Sequence, residues 1–211
     1  MNIKDIPKKE ITKISEEVFR KIVSEVGSQE FRKQYNRFVH PSDDEIKFYI
    51  HIGDIDSSEM LQSPDCYMLV IGTIKCPYIN VTDPWSVEMG EFIVIGNVVC
   101  DYFLNYHGKS VFIDGNLKVN KVLNHAVDDA AMIIVNDLDA EFYWANNGWA
   151  NVGGTVTMKY GLGYVFPLDE ENEKAIKPEH SEKESATFLG TTVEEIEDGD
   201  FMVELFDNLK T

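Results

Sequence analysis

A short motif is written six times in this chain. Each time an apolar strand runs into a glycine, or once an asparagine, then a polar residue, an aliphatic residue, a spacer and a small or apolar residue. The plainest statements are Ile93-Val94-Ile95-Gly96-Asn97-Val98-Val99-Cys100 and Phe112-Ile113-Asp114-Gly115-Asn116-Leu117-Lys118-Val119. The anchors are Gly53, Gly72, Gly96, Gly115, Asn136 and Gly154, separated by 19, 24, 19, 21 and 18 residues. Asparagine is the residue that best replaces glycine where a left-handed backbone is needed.

The columns of the repeat say more than any row. Two residues after the anchor stand Ile55, Ile74, Val98, Leu117, Leu138 and Val156; four after it stand Ser57, Cys76, Cys100, Val119, Ala140 and Met158. One after it stand Asp54, Thr73, Asn97, Asn116, Asp137 and Thr155. Polar and apolar positions alternate with period two, so these are strands. A spacing of about 20 residues per repeat fits one coil of a parallel β-solenoid, whose coils must stack to bury their apolar face. Asn80, Asn105 and Asn124 lie eight or nine residues after their anchors and are expected to form an amide ladder up the stack.

The expected fold is therefore mainly β: a right-handed parallel β-helix of about six coils over residues 48–168, with a helical N-terminal cap over 1–47 and an acidic C-terminal segment with a short helix over 169–211. Ile11, Ile14, Val18, Ile22 and Val26 recur at helical spacing, with Thr12 or Ser15 near the start and Gly27 as the stop. A second helix holds Phe31, Tyr35 and Phe38. Such helices can shield the raw end of a solenoid. They can also cover an unusual outward aliphatic patch made by Ile50, Ile52, Leu69, Ile71, Ile93 and Ile95. Residues 169–184 are charged and poor in apolar side chains and read as mobile, with order returning at Phe188 and Thr192 and a helix over 201–206. That last segment is placed to close the far end of the stack.

Charge bounds the partners. The net charge of −18 divides as +1 over residues 1–47, −9 over 48–168 and −10 over 169–211. Such a field repels nucleic acid and anionic lipid and speeds encounter with a basic partner. MNIKDIPKKE lacks the apolar stretch of a signal peptide, and no run is long enough to span a membrane. Cys66, Cys76 and Cys100 have no CxxC spacing, which favours a reducing cytoplasm and a role as core filler.

Few residues invite chemistry. His40, His51, His107, His125 and His180 fall in no metal-ligand spacing, so neither metal nor cofactor is expected. The pairs Asp54/Asp56 and Asp137/Asp139 have the form used for cations or paired acids, but they sit several coils apart and read as a solvated face. Aromatic residues crowd the coil corners, Trp85, Tyr102, Tyr106, Trp144, Trp149 and Tyr164 among them. Those left exposed beside acids would anchor a partner.

The stretch Asn105-Tyr106-His107-Gly108-Lys109-Ser110-Val111-Phe112-Ile113-Asp114-Gly115-Asn116-Leu117 resembles the repeated coil of bacterial solenoid proteins encoded beside polymorphic secreted toxins. Their unit runs Tyr-Asn-His-Gly, a few apolar residues, then Gly-Asp-Leu. Here Asn105 precedes the tyrosine and Asn116 stands where aspartate is usual. The resemblance covers roughly residues 48–168 and implies an immunity protein: a stoichiometric inhibitor, not an enzyme, that neutralises a toxin domain in the bacterial cytoplasm. A basic toxin such as a nuclease would suit the charge. The candidate partner-binding residues are Asp137, Asp139, Glu141, Trp144 and Trp149, with Asp128 and Asp129. Two alternatives are a bactofilin-like structural scaffold and a carbohydrate-active β-helix enzyme. The pattern leaves a homodimer open.

Overall fold

The computed structural model describes residues 10–38, 46–63, 66–82, 90–106, 109–125, 130–145, 149–168 and 174–209. The chain begins with strand β1 (Ile11–Ile14) and helices α1 (Glu16–Val26) and α2 (Gln29–Phe38). The first windings follow as β2 (Lys47–Ile52), β3 (Ile55–Asp56), β4 (Leu61–Gln62), β5 (Cys66–Ile71), β6 (Ile74–Lys75) and β7 (Tyr78–Thr82). The middle of the stack is β8 (Glu91–Ile95), β9 (Val98–Asn105), β10 (Ser110–Asp114) and β11 (Leu117–His125). The last windings are β12 (Met132–Ile134), β13 (Leu138–Trp144), β14 (Ala150–Val152), β15 (Val156–Leu162) and β16 (Val165–Pro167). Helices α3 (Glu182–Leu189), α4 (Val193–Asp198) and α5 (Asp200–Leu209) end the chain.

These elements form a parallel β-solenoid of about five turns. One sheet runs β1-β2-β5-β8-β10-β12-β14-β16, the other β15-β13-β11-β9 and on to β6 and β3, with β7 joining β9 to β4. Every pair is parallel except β1 with β2. The repeat columns are the observed registers. Ile55 lies beside Ile74, Ile74 beside Val98, Val98 beside Leu117, Leu117 beside Leu138 and Leu138 beside Val156. With Val94, Ile113, Cys100 and Val119 they form the buried core between the two sheets.

The anchor column is glycine because coils meet there. A Cβ on Gly96 would lie 2.3 Å from the carbonyl oxygen of Gly72. Gly96 also has φ 148°, a conformation that side chains disfavour. The next column is a ladder of side-chain acceptors. The Oδ1 atoms of Asp54, Asn97, Asn116 and Asp137 accept the backbone N–H of Thr73, Asn116, Asp137 and Thr155 at 2.7, 2.9, 3.1 and 2.7 Å. Asp54 and Asp137, the first members of the two D-x-D pairs, are thus part of the stack's own hydrogen bonding.

The expected asparagine ladder is not one column. Asn80 and Asn124 both pair in register with Leu104, while Asn105 stands between Thr82 and His125. Asn80 and Leu104 both stand eight residues after their anchors, and a β-bulge between Val119 and Val122 adds the residue that brings Asn124, nine after its anchor, into the same row. The working ladder is Thr82–Asn105–His125. Thr82 donates to Asn105 Oδ1 at 3.0 Å, and Asn105 Nδ2 donates to the Lys109 carbonyl at 2.8 Å and lies 3.2 Å from His125 Nδ1.

The N-terminal helices lie along the first sheet's outer face, and the sheet edge is met by β1. Ile11 and Ile14 therefore belong to a strand, and α1 begins only after Ser15, whose side chain accepts the Val18 N–H. Phe19, Ile22, Val23, Phe31 and Tyr35 cover Ile50, Leu69, Ile93 and Phe112, the aliphatic patch that needed a partner. Ser28, next to the start of α2, donates its N–H and hydroxyl to Asp114 at 2.6 and 2.7 Å. At the centre Arg20 reaches the buried Glu91 at 2.8 Å and hydrogen-bonds Tyr35, which donates to Glu91 at 2.7 Å. Arg20 also lies 4.8 Å from the Tyr67 ring centroid. Burial raises the Glu91 pKa above its ordinary value, although Arg20 and Tyr35 pull it down.

The C-terminal helices cover the outer face of the second sheet instead of only closing the far end. Ala186, Ile196 and Met202 pack on Leu104, Val122, Phe142 and Trp144. The segment expected to be mobile is ordered from residue 174: Ile176 bridges Val165, and the N–H groups of Glu179 and His180 bond the carbonyls of Met158 and Lys159. Residues 169–173 lie outside the described residues. Among the described residues no helix is long and apolar enough to cross a membrane, and no group of three or more His, Cys, Asp or Glu could hold a metal.

Two predictions concern buried charge. Arg20→Met alone leaves Glu91 buried without its cation and should cost about 3 kcal/mol or more, whereas Arg20→Met with Glu91→Leu should recover most of that loss in denaturant titration. The second concerns His125, whose burial pushes its pKa down from 6.5 to about 4. The unfolded chain takes up this proton first, so the neutral imidazole's contribution is whole above pH 6.5 and is lost as pH falls toward 4. The slope is about 1.4 kcal/mol per pH unit within that window. Glu91 acts in the opposite sense, since its raised pKa favours the fold as pH falls. His125→Gln should therefore flatten the loss of stability between pH 6.5 and 4; an unchanged slope would show that His125 is not the group responsible.

Candidate interaction surface

The sequence offered seven candidate partner-binding residues, five of which are among the described residues. Asp137 gives its Oδ1 to the backbone ladder. Asp139 pairs with Lys118 at 2.6 Å and Glu141 with Lys159 at 2.6 Å, each cation one coil away. These acids lie on the second sheet's outward face, but lysines stitched across the coils offset much of their charge. Trp144 is 2% exposed and cannot be a surface anchor. Its indole N–H donates to the Ile196 carbonyl at 2.8 Å, and its ring meets Phe201 at a centroid distance of 5.8 Å. The Gly199 turn presses so close that a Cβ there would lie 2.9 Å from the ring. Trp149 is 47% exposed but sits where the chain enters β14, at another corner. Asp128, Asp129, His107 and Trp85 lie outside the described residues.

Beside the Glu141 strip a groove of about 540 Å³ opens between the second sheet and the C-terminal helices. Its floor is Tyr102, Lys121 and Val122; its walls bring Glu141, Phe188, Glu195, Phe201, Glu204 and Leu205. Tyr102 stacks on Tyr78 at 4.9 Å, and the Lys121 ammonium lies 5.0 Å from the Tyr102 centroid. Phe188 is 49% exposed, yet its position is set: it stacks on Tyr160 at 4.2 Å, and His180 stacks on the same ring at 4.5 Å. Hydrogen bonds from Thr191 and Thr192 hold the Glu195 carboxyl below its ordinary value.

The acidic layer on this groove has a local cause. Ser181 with Glu184 and Thr192 with Glu195 form two capping boxes, each with its acid in the first helical turn. Helices α3 to α5 span residues 182–209, which carry nine acidic side chains against Lys183 alone. Their apolar faces go to the sheet, so the acids are left toward solvent. The groove thus offers aromatic contact area beside carboxylates, which suits a cationic protein surface. Sequence reasoning missed it, although the two Ser/Thr-x-x-Glu signatures mark the helix starts.

No protein family, curated protein or solved structure matches this chain.

Proposed function

We propose that this chain is an immunity protein. It binds a secreted bacterial toxin domain one to one in the cytoplasm and acts by occupancy, without turnover. The partner is a basic domain, such as a nuclease. The observation that carries this reading is the groove of about 540 Å³, where Phe188 and Tyr102 stand among Glu141, Glu195 and Glu204. Rigid aromatic anchors ringed by charge are what a tight, steered interface uses.

The same reading takes the solenoid as right-handed, with one coil for each of its six anchors and with β1, α1 and α2 together as its N-terminal cap. An end-to-end scaffold is disfavoured, because β1 runs antiparallel along one edge and Ile176 bridges Val165 at the other. A carbohydrate-active site is disfavoured too: Asp54 and Asp137 are occupied by backbone N–H groups, and Asp139 by Lys118.

The test is co-expression with the C-terminal domain encoded by the neighbouring toxin gene. Cells should survive, and a one-to-one complex should elute on gel filtration. Glu204→Lys should slow association and reduce its salt dependence, while Phe188→Ala should raise the dissociation rate by about tenfold. Equal killing with and without this protein, and no complex, would make the reading wrong.

A further inference from the structure

A second hollow, of about 780 Å³, lies at the C-terminal corner of the solenoid, away from the groove just described. Tyr164 lines it, 39% exposed. Trp149 and Tyr164 immediately precede the register partners Ala150 and Val165. Parallel pairing therefore sets these two residues on adjacent coils; Tyr164 lines the hollow and Trp149 does not. Both are backed by rigid structure. Ala150 and Val165 are fully buried, Tyr143 donates its hydroxyl to the Tyr164 carbonyl at 3.3 Å, and Phe166 meets the Tyr164 ring edge-on at 5.2 Å.

The charged part of the hollow's lining is mostly acidic. Glu179, Glu182 and Glu197 line it with Lys177 and His180, and His180 is turned to Glu184 at 3.6 Å. The backbone of Glu179 and His180 is pinned to β15 by hydrogen bonds of 2.8 and 2.9 Å. Among the described residues no cation lies within ion-pair distance of Glu179 or Glu182, unlike Asp139 and Glu141, which have lysines. One exposed ring, Tyr164, and two carboxylates outside any ion pair thus line one hollow, and Trp149 stands on the adjoining coil.

We propose that this corner is a second docking surface, built for a polypeptide segment that carries arginine or lysine side chains. The Tyr164 ring takes the guanidinium or the alkyl stem, and Glu179 and Glu182 take the charge. The sign of the charge decides among occupants. A nucleic acid or anionic lipid is repelled, and a second copy of this chain brings another −18. The inference does not depend on the partner being a toxin, because it stands on different residues from the groove at Phe188.

A labelled octa-arginine peptide serves as the probe, with binding followed by fluorescence anisotropy at physiological ionic strength. Wild type should bind it saturably at one site. Tyr164→Ala, and separately Glu179→Gln with Glu182→Gln, should each weaken binding by about tenfold while circular dichroism stays unchanged. The carboxamide pair is exposed on both residues, so it tests the surface even if Tyr164→Ala perturbs folding. Phe188→Ala with Glu204→Gln, in the other groove, should leave the affinity as it was. Absence of saturable binding would overturn the proposal. Wild-type affinity in the carboxamide variant would also overturn it, since the attraction would then be the general field of the protein. So would a loss confined to the Phe188 and Glu204 variant, which would place the peptide in the other groove.

Discussion

The structure depends on how closely one coil's backbone approaches the next at the anchor turn. Side chains are excluded at three successive anchors, though not at Asn136: a Cβ on Gly72, Gly96 or Gly115 would meet the preceding anchor's carbonyl oxygen at 2.3, 2.3 or 2.2 Å. That approach sets the register, and the register does the rest. It aligns the aliphatic column from Ile74 to Leu138 and brings each Asx side chain under the N–H one coil on. The ladder satisfies backbone donors that would otherwise be unpaired at a turn. It also explains why acids recur on this edge without forming a site.

Two parallel sheets back to back leave two outer faces, and the chain covers each differently. The first face is aliphatic and takes α1 and α2, with one buried ion pair, Arg20 to Glu91, among aromatic rings. A buried pair of this kind adds little net stability but is costly to break, so it favours a single seating of the helices. The second face is aromatic and takes α3 to α5 through Trp144. What the second layer leaves uncovered decides what the protein offers to partners. The lysine-paired strip of Asp139 and Glu141 is nearly balanced, whereas the groove at Phe188 and the corner at Tyr164 keep aromatic area beside acids.

The repeat was legible because a solenoid writes its register into the sequence: Gly53 to Gly154 and the column from Ile55 to Val156 are visible by counting. Counting fails where a β-bulge adds a residue: Asn124 and Asn105 share an offset of nine yet lie in different rows, and Thr82, Asn105 and His125 share a row at offsets of ten, nine and ten. It fails again for Trp144. Period-two alternation from Leu138 and Ala140 would put that ring in the core between the sheets, whereas the alternation breaks after Ala140 and Trp144 lies on the outer face, covered by the Ile196 carbonyl and the Gly199 turn. Ile11 and Ile14 fit a helical stripe equally well, but pairing with β2 wins over local propensity. Trp149 is the candidate anchor that stays on the surface, and Glu141 the candidate acid that lines a groove. The acid-rich stretch near residue 180 reads as mobile by composition, yet Ile176 packs against the core between the sheets and bridges Val165.

The account turns on coil-to-coil contact at the anchors, and thermal unfolding of Gly96→Ala measures that contact most directly. The added methyl has nowhere to go but the Gly72 carbonyl, so the account predicts a cooperative transition lowered by about 3 kcal/mol or more. Gly190→Ala is the comparison: that residue also has a positive φ, 74°, but a Cβ there meets nothing within 4 Å. It should cost about 1 kcal/mol from backbone strain alone. Equal losses in the two variants, or a Gly96→Ala protein as stable as wild type, would contradict the account.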